Sequence, residues 1–315
     1  MRIGTRGSAL ALAQAGQVAE LLAIGAGDDD AIELVTITTS GDGAGDAEEP
    51  AAPGGDPADR SRWVDTIEAA LLAGEIDLAV HSAKDVPGEL AAGLDLLGAP
   101  ARAVAADVLC GADDLESLPA GARVGTGSLR RAAQLRAARE DLRVVAIGGN
   151  VDTRLRRLGE EQDLDAIVLA HAGLLRLGRE AEIGAVLDLA RFVPAPGQGA
   201  LALEGRTGDA RVEEAVAAIT DADAFACLRA ERALASALDA SCHTPLGAHA
   251  TPAGCGCLNL RAWVGLPDGS AWVSDELLGG FYDPDALGQR VAERMLTAGA
   301  GELLHQAEEM AVEHA

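Results

Sequence analysis

The amino-acid sequence predicts an α/β fold with two doubly wound units followed by a smaller α+β unit. Short apolar strands alternate with helices near the N-terminus, and the same alternation starts again at Arg123. Further along, strands follow one another directly between residues 246 and 274, which is typical of a small antiparallel sheet. A chain of 315 residues, 49% of them hydrophobic, is long enough for two or three such cores.

The first unit is predicted to start with a strand at residues 2–5 and a helix that extends to about Ala23. Ser8 lies where it can cap that helix, and the free N–H groups of a first helical turn bind anions. Arg6 could add a bidentate contact to a carboxylate. An ordinary helix cap without a ligand explains the same residues equally well, so both interpretations stay open.

The next strand is predicted at residues 33–39, followed by a segment, 40–62, that is rich in Gly, Asp, Ala and Pro. A segment of this length inside a compact unit is typical of a mobile lid or a disordered insertion. A helix is then predicted over residues 62–73, because its apolar residues recur at the spacing of a buried helix face.

A short apolar run that begins at Asp77 ends in a cluster of polar residues: His81, Ser82, Lys84 and Asp85. Lys84 is the only lysine of the chain. In an open α/β sheet, the loops at the carboxyl ends of the strands form the ligand crevice. These side chains are therefore predicted to face a ligand, although a merely solvated strand end is an equally simple interpretation.

The second unit repeats a strand, a turn and a helix, with the turns at residues 125–128 and 148–150. This alternation predicts a parallel sheet whose turns open onto one crevice. The arginines of these helices could contact a ligand in the crevice or form surface ion pairs, and Arg136, Arg156 and Arg157 are assigned to surface ion pairs. In a chain of net charge −25, arginines gathered at a crevice favour a polycarboxylate ligand.

Two chain crossings are predicted, at Pro100 and at the Pro/Gly-rich residues 192–199, and a strand at 200–204 then returns to the first sheet. Two crossings form a hinge of the kind found in periplasmic binding proteins. The sequence therefore predicts two periplasmic-binding-protein-like units and a third, α+β unit. Their bounds are 1–99 with 200–218, 100–199 and 219–315.

The third unit is predicted to contain a helix over residues 221–238, a turn that carries Cys242, an antiparallel sheet and two terminal helices. Its strands are predicted at 246–251, 257–264 and 270–274, and its terminal helices at 284–297 and 302–313. The five cysteines of the chain form no CxxC pair, which argues against a disulfide framework and against a structural metal site.

The charge of the chain is strongly acidic, with 50 Asp and Glu residues against 25 Lys and Arg residues. This balance argues against non-specific binding to nucleic acid or to anionic membranes. Adaptation to high salt explains both the acidity and the scarcity of lysine, but a GC-rich genome also depletes lysine. No secretory signal or membrane-length apolar run is seen, so a cytoplasmic protein is expected, and we expect a monomer.

Five motifs, taken in their order along the chain, resemble those of the porphobilinogen deaminases, also called hydroxymethylbilane synthases. The motifs are residues 77–87, 125–131, 149–154, 196–200 and Cys242. The resemblance extends from Arg2 to about residue 300, and five ordered matches are far more specific than any one of them.

The resemblance implies a transferase of tetrapyrrole and haem biosynthesis that deaminates four porphobilinogen molecules and joins them head to tail into hydroxymethylbilane. It implies Asp85 as the catalytic residue and a dipyrromethane cofactor attached covalently to Cys242. The cofactor-binding residues that it implies are Ser82, Lys84, Asp85, Thr126, Ser128, Arg130, Arg131 and Asn150. The implied substrate-binding residues are Arg6, Ser8, Arg154, Gln198, Arg60 and Trp63.

The sequence departs from the family pattern at a few positions of the expected site. Ser40 and Gly148 stand where the family has arginines, Arg60 replaces a lysine, and Trp63 replaces a phenylalanine. The alternative is a two-lobed module that binds anionic small molecules without catalysis, because a fold does not determine a function. The third unit and Cys242 argue against that alternative.

Overall fold

The computed structural model describes residues 1–25, 31–38, 58–160, 164–240, 244–254 and 256–313. In chain order the strands are β1 (Arg2–Arg6), β2 (Glu33–Ile37), β3 (Leu78–Ser82), β4 (Leu94–Gly98), β5 (Asp107–Cys110), β6 (Arg123–Gly125), β7 (Arg143–Val145), β8 (Ala166–Ala170), β9 (Ala185–Val186), β10 (Leu201–Arg206), β11 (Leu246–Pro252), β12 (Cys257–Gly265) and β13 (Trp272–Gly280). The helices are α1 (Ala9–Gly25), α2 (Ala58–Leu72), α3 (Leu129–Ala138), α4 (Val151–Glu160), α5 (His171–Arg176), α6 (Ala210–Ile219), α7 (Ala222–Ala237), α8 (Pro284–Thr297) and α9 (Ala300–Glu313).

The first sheet has the strand order β2-β1-β3-β10-β4. β1 pairs in parallel with β2 and β3, whereas β10 runs antiparallel to β3 and β4. Because successive side chains of a strand point to opposite faces, Leu78 and Val80 pack with α1 and α6 while Ala79 packs with α2. Helices therefore cover both faces, and β10 returns the chain to this sheet as predicted.

The second sheet has the order β7-β6-β8-β5-β9. β6 pairs in parallel with β7 and β8, but β5 is antiparallel to both β8 and β9. The predicted parallel pairing of β6, β7 and β8 is therefore confirmed, but the prediction did not include the antiparallel strands β5 and β9. All four residues of β5 are buried, so this strand lacks the alternation of apolar and polar residues that reveals a strand in a sequence.

The third sheet is antiparallel, with the order β11-β12-β13. Its inner face packs against α7, α8 and α9 around a core that includes Leu234, Leu260 and Met295. The last strand extends over Trp272–Gly280, well beyond the predicted residues 270–274. Its inward residues include Asp275 and Gly279, which makes the apolar pattern of this strand weak in the sequence.

The elements thus confirm the α/β class with a small α+β unit, and two helices differ from the expectation. α2 begins at Ala58, inside the segment predicted to be irregular, and residues 58–62 contain no Gly or Pro that would stop a helix. α6 was not predicted, although Asp209 caps it by accepting a hydrogen bond from the Val212 amide at 3.4 Å. In the described part of the chain, none of the helices has the length and apolar character needed to cross a bilayer.

Candidate active site

One crevice collects the carboxyl ends of strands from the first sheet and the helix starts that follow strands of the second sheet. A Cβ atom placed on Gly173 of α5 would lie 3.8 Å from Leu10 of α1 and 3.9 Å from Val151 of α4, so the N-terminal turns of these helices converge. Lys84, just after β3, lies close enough to Arg131 of α3 and Arg154 of α4 for their charges to act on it. The two sheets therefore place their strand-end residues in a shared site.

The turn of 3-10 helix that follows β3 carries Lys84 and Asp85. The Ala83 amide donates a hydrogen bond to the carbonyl oxygen of Ala200, at 3.1 Å, which ties the turn to the second chain crossing. Gly197 of that crossing has φ +74°, and a Cβ atom there would lie 2.9 Å from both Ala83 C and Lys84 N. Only glycine fits so close to the turn, because any side chain would overlap its backbone.

The Lys84 amine is partly buried and makes no hydrogen bond or ion pair with any described residue. Burial lowers its pKa to about 8, and the like charges of Arg131 and Arg154 act in the same direction, against the attraction of Asp85 and Asp107. An anionic ligand would supply the partner that this ammonium group lacks.

The Asp85 side chain is exposed to solvent, and within the described part of the chain it has no hydrogen-bond or ion-pair partner. Its carboxylate therefore takes its position from the backbone of the turn. An exposed carboxylate can accept hydrogen bonds from the N–H groups of a ligand, and the neighbouring ammonium group can donate to the ligand's carboxylates.

The predicted residues Arg6, Ser8 and Ser82 lie around α1. Ser8 caps α1, since its Oγ accepts a hydrogen bond from the Ala11 amide at 3.2 Å. Arg6 ends β1, which places it at the carboxyl edge of the first sheet. The Ser82 hydroxyl bonds to the side chain of Gln14, a buried residue of α1, with an Nε2 to Oγ distance of 2.8 Å.

The predicted pair Arg130 and Arg131 is buried and shares one carboxylate, that of Asp107 in β5. Arg130 Nη1 lies 2.9 Å from Asp107 Oδ2, and Arg131 Nη2 lies 2.8 Å from Oδ1. Burial alone would raise the pKa of Asp107, but the two guanidinium groups outweigh it and hold the pKa below its ordinary range. Gln198 completes the group by donating to Asp107 Oδ1 at 2.8 Å. We refer to these four residues as the Asp107 cluster.

The predicted residues of the two turns in the second sheet mostly act on the helices that follow. Thr126 Oγ1 accepts a hydrogen bond from the Ser128 amide, at 3.2 Å, and Ser128 in turn caps α3. Asn150 caps α4 by accepting from the Thr153 amide at 2.9 Å, while Arg154 Nε donates to the Gly149 carbonyl at 2.8 Å. These bonds hold both helix starts, with their free N–H groups, at the crevice.

The structure adds residues that the sequence did not single out. Asp107 is one, although a lone acidic residue in the apolar run 104–110 was a signal for it. Arg176 of α5 is another: its Nη2 donates to the Gly199 carbonyl at 2.8 Å, and burial lowers its pKa to about 10. Its Nε atom is buried and has no hydrogen-bond partner within the described ranges. No local pattern distinguishes Arg176 from the other helix arginines.

Several predicted residues lie outside the description that the structure provides. Cys242 and Ser40 are outside the described residues. Arg60 and Trp63 lie in the first turns of α2, but their side chains are not among those described. Two other cysteines lie among the described residues and are buried. Burial raises the pKa of Cys110 to about 11 and that of Cys227 to about 12. Both of these thiols are therefore poor nucleophiles.

Comparison with known proteins gives a consistent result over nearly the whole chain. The family model described as "Porphobilinogen deaminase, dipyromethane cofactor binding domain" matches residues 1–214, and "Porphobilinogen deaminase, C-terminal domain" matches residues 225–297. The chain is 45% identical to the porphobilinogen deaminase of Leifsonia xyli subsp. xyli, over 96% of this chain and 94% of the relative. It is 46% identical to that of Rubrobacter xylanophilus, over 96% and 95%, and 42% identical to that of Deinococcus radiodurans, over 98% of both.

Proposed function

Because this chain belongs to the porphobilinogen deaminase family, we propose that it joins four porphobilinogen molecules with Asp85 as the catalytic residue. The growing chain stays attached at Cys242. Membership of the family makes the protein a transferase of tetrapyrrole biosynthesis. The observation that supports the role of Asp85 is its exposed carboxylate at the strand-end crevice, adjacent in sequence to Lys84.

The residues of the crevice fit a dipyrromethane cofactor, whose acetate and propionate groups are carboxylates. Lys84 supplies an amine without a protein partner among the described residues, and the Asp107 cluster carries two guanidinium groups against one carboxylate. The helix starts at Ser128 and Asn150 add backbone N–H groups. When bound, the cofactor supplies the free pyrrole carbon to which the first substrate unit is joined.

In the proposed reaction, Asp85 stabilises the positive charge that develops on the substrate. Loss of ammonia from porphobilinogen places positive charge on the substrate pyrrole, and each Asp85 carboxylate oxygen can accept a hydrogen bond from the pyrrole N–H. A fixed carboxylate within hydrogen-bond distance stabilises that cation and the transition states that lead to and from it. We assign Lys84, Arg6, Arg154 and Arg176 to the substrate carboxylates. Ser8 and Ser82 add neutral contacts, whereas Gln198 is buried and acts through the Asp107 cluster.

Cys242 is the thiol that we assign to cofactor attachment, as the family resemblance implies. The buried Cys110 and Cys227, with their raised pKa values, support this choice by making two other cysteines unsuitable. We also propose that the protein is a cytoplasmic monomer and that it is adapted to high salt; the acidic composition supports the adaptation to salt. The catalytic proposal does not depend on these last three properties.

Intact mass of the denatured protein tests the attachment. Wild-type protein from cells that make porphobilinogen is expected to be heavier than its sequence by two linked pyrrole units, and Cys242→Ser is not. Cys257→Ser serves as the matched control and is expected to keep the adduct. Wild-type protein at its bare sequence mass would contradict the proposal and favour the non-catalytic binding module.

The role of Asp85 is tested with Asp85→Asn, which keeps the size of the side chain but removes its charge. We expect this variant to carry the adduct and to lose about a hundredfold to a thousandfold in kcat. Turnover of porphobilinogen near the wild-type rate would show that another residue stabilises the cation.

A further inference from the structure

Helix α7 faces the backbone that follows Asp85 with two residues one helical turn apart. Leu228 is fully buried and packs in a cluster with Ala83 and Val86, on either side of the Lys84–Asp85 turn. Arg232 lies four residues further along α7 and reaches the same segment of chain. Residues at this spacing share one helix face, so a single side of α7 is directed at the turn.

The guanidinium group of Arg232 donates hydrogen bonds to three consecutive backbone carbonyls. Its Nη1 lies 3.3 Å from the carbonyl oxygen of Val86, and its Nη2 lies 2.7 Å from that of Pro87 and 3.1 Å from that of Gly88. Burial lowers the pKa of Arg232, although Glu204 and Asp95 attract its charge. A planar, charged fork holds three carbonyls in a more defined geometry than a flexible ammonium group can.

Asp85 depends on this backbone because its side chain makes no hydrogen bond or ion pair with the described residues. On the N-terminal side, the turn is held by the Ala83 amide and by Gly197. On the C-terminal side, Arg232 holds the segment that follows. The position of the Asp85 carboxylate is thus determined by contacts on both sides of the turn.

Glu231, the residue next to Arg232, connects α7 to the chain crossings through hydrogen bonds. Glu231 is fully buried and accepts hydrogen bonds from Arg102 Nη1 at 2.6 Å, from the Gly197 amide at 2.6 Å and from the Ala250 amide at 2.7 Å. Burial alone would raise the pKa of Glu231, but Arg102 and His249 outweigh it and lower the pKa. Helix α7 therefore contacts both crossings as well as the turn.

We propose that Arg232 is a positioning residue. It holds Asp85 at a fixed position relative to the end of α7, after which the chain leads to Cys242. The inference rests on the proposed role of Asp85. By holding three carbonyls, Arg232 fixes the distance between the turn and the helix whose C-terminal end precedes the cofactor-bearing residue. Each added substrate unit then meets the same Asp85 carboxylate.

The test compares Arg232→Gln with Arg229→Gln, a control on the same helix whose guanidinium group pairs with Asp285 on the surface. Because a displacement of about 1 Å can cost about a hundredfold, we expect Arg232→Gln to lower kcat by about tenfold to a hundredfold. KM for porphobilinogen and the intact-mass adduct are expected to stay near wild type. Hydrogen exchange at the Val86 amide, which donates to the Ala83 carbonyl, is expected to quicken. Arg232→Lys should restore part of kcat, since an ammonium group reaches fewer carbonyls.

A double variant shows whether Arg232 acts through Asp85. In the Asp85→Asn background, Arg232→Gln is expected to change kcat by no more than about twofold, because coupled residues are not additive. An unchanged kcat in Arg232→Gln, or an equal loss in both backgrounds, would overturn the inference. If Arg232→Gln fails to fold, Arg232→Lys alone decides, and a wild-type kcat in it would also overturn the inference. Wild-type turnover in Asp85→Asn would overturn the proposed function together with this inference, so the two failures are distinguishable.

Discussion

Single residues of the crevice fall into two groups, those with a protein partner for their charge and those without. Arg130 and Arg131 share the carboxylate of Asp107, all three being buried, so truncating Asp107 would leave two uncompensated guanidinium groups in the interior. Lys84 and Asp85 have no such partner among the described residues, so they can be changed with much less damage to the fold. Substitutions at these two positions therefore report on ligand chemistry.

Lys84→Met is expected to stabilise the cofactor-free protein, by an amount that depends on pH. Below pH 8 the amine is charged in both the folded and the unfolded chain, and burial penalises it only in the folded chain. The penalty is at most about 3 kcal/mol, from the difference between about 8 and the ordinary value of 10.5. It declines between pH 8 and 10.5, where the folded chain has already released the proton. Denaturant unfolding at pH 7 and at pH 10 measures the gain, which should be larger at pH 7.

The same variant is expected to bind porphobilinogen less well, because the ligand carboxylates lose their ammonium partner. For the wild type, affinity should weaken as the pH rises through about 8, the pKa of the free amine. An equal gain in stability at both pH values would show that burial does not lower the pKa of Lys84 in the folded protein.

At the scale of elements, the Lys84–Asp85 turn is packed between the second chain crossing and α7. The crossing approaches so closely that Gly197, at φ +74°, cannot carry a side chain without contacting the backbone of Ala83 and Lys84. Gly208 has a similar φ of +81°, but open space surrounds its Cα. This difference separates the cost of the backbone conformation from the cost of the overlap.

Gly197→Ala is expected to reduce both stability and kcat, whereas Gly208→Ala reduces stability alone. The positive φ costs each variant about 1–2 kcal/mol. In Gly197→Ala the added methyl group also displaces the turn, which we expect to cost at least about tenfold in kcat. Urea unfolding and steady-state turnover measure the two effects. Equal kcat values in the two glycine variants would contradict the close fit of the turn.

Sequence reasoning identified elements and residues whose signals are local. The cap at Ser8, the turn at residues 125–128 and the strand that returns to the first sheet all follow from short patterns. Asp107 and Arg232 were not identified, since their partners are distant in the chain: Asp107 contacts Arg131, and Arg232 contacts Pro87. Such contacts exist only after the sheets and α7 have packed together.

At the scale of the whole molecule, positive and negative charge are distributed unequally. The arginines around the crevice are buried or half-buried, and several are paired internally, whereas many acidic residues are exposed. With 50 acidic residues against 25 basic ones, the outer surface repels itself. The crevice is consequently a positive region within a negative molecule, which favours the entry of carboxylate substrates.

Stability is expected to rise with salt concentration, because salt shortens the range of this repulsion from about 10 Å at 0.1 M to about 3 Å at 1 M. Each kcal/mol regained should raise Tm by about 2–4 °C, and thermal unfolding in potassium chloride from 0.1 to 3 M measures it. The arginine–carboxylate attraction weakens over the same range, so KM should rise while the folded fraction increases. A Tm that is independent of salt would show that the acidity is not an adaptation to salt.

Because the chain has a single lysine, proteolysis can measure motion at the candidate active site. A protease that cuts only after lysine has one peptide bond to attack in the entire chain, the one between Lys84 and Asp85. That bond lies in a turn held by Ala200, Gly197 and Arg232, so cleavage requires the turn to leave these contacts. The appearance of two fragments on a gel therefore measures how often the catalytic turn opens, without any label or engineered site.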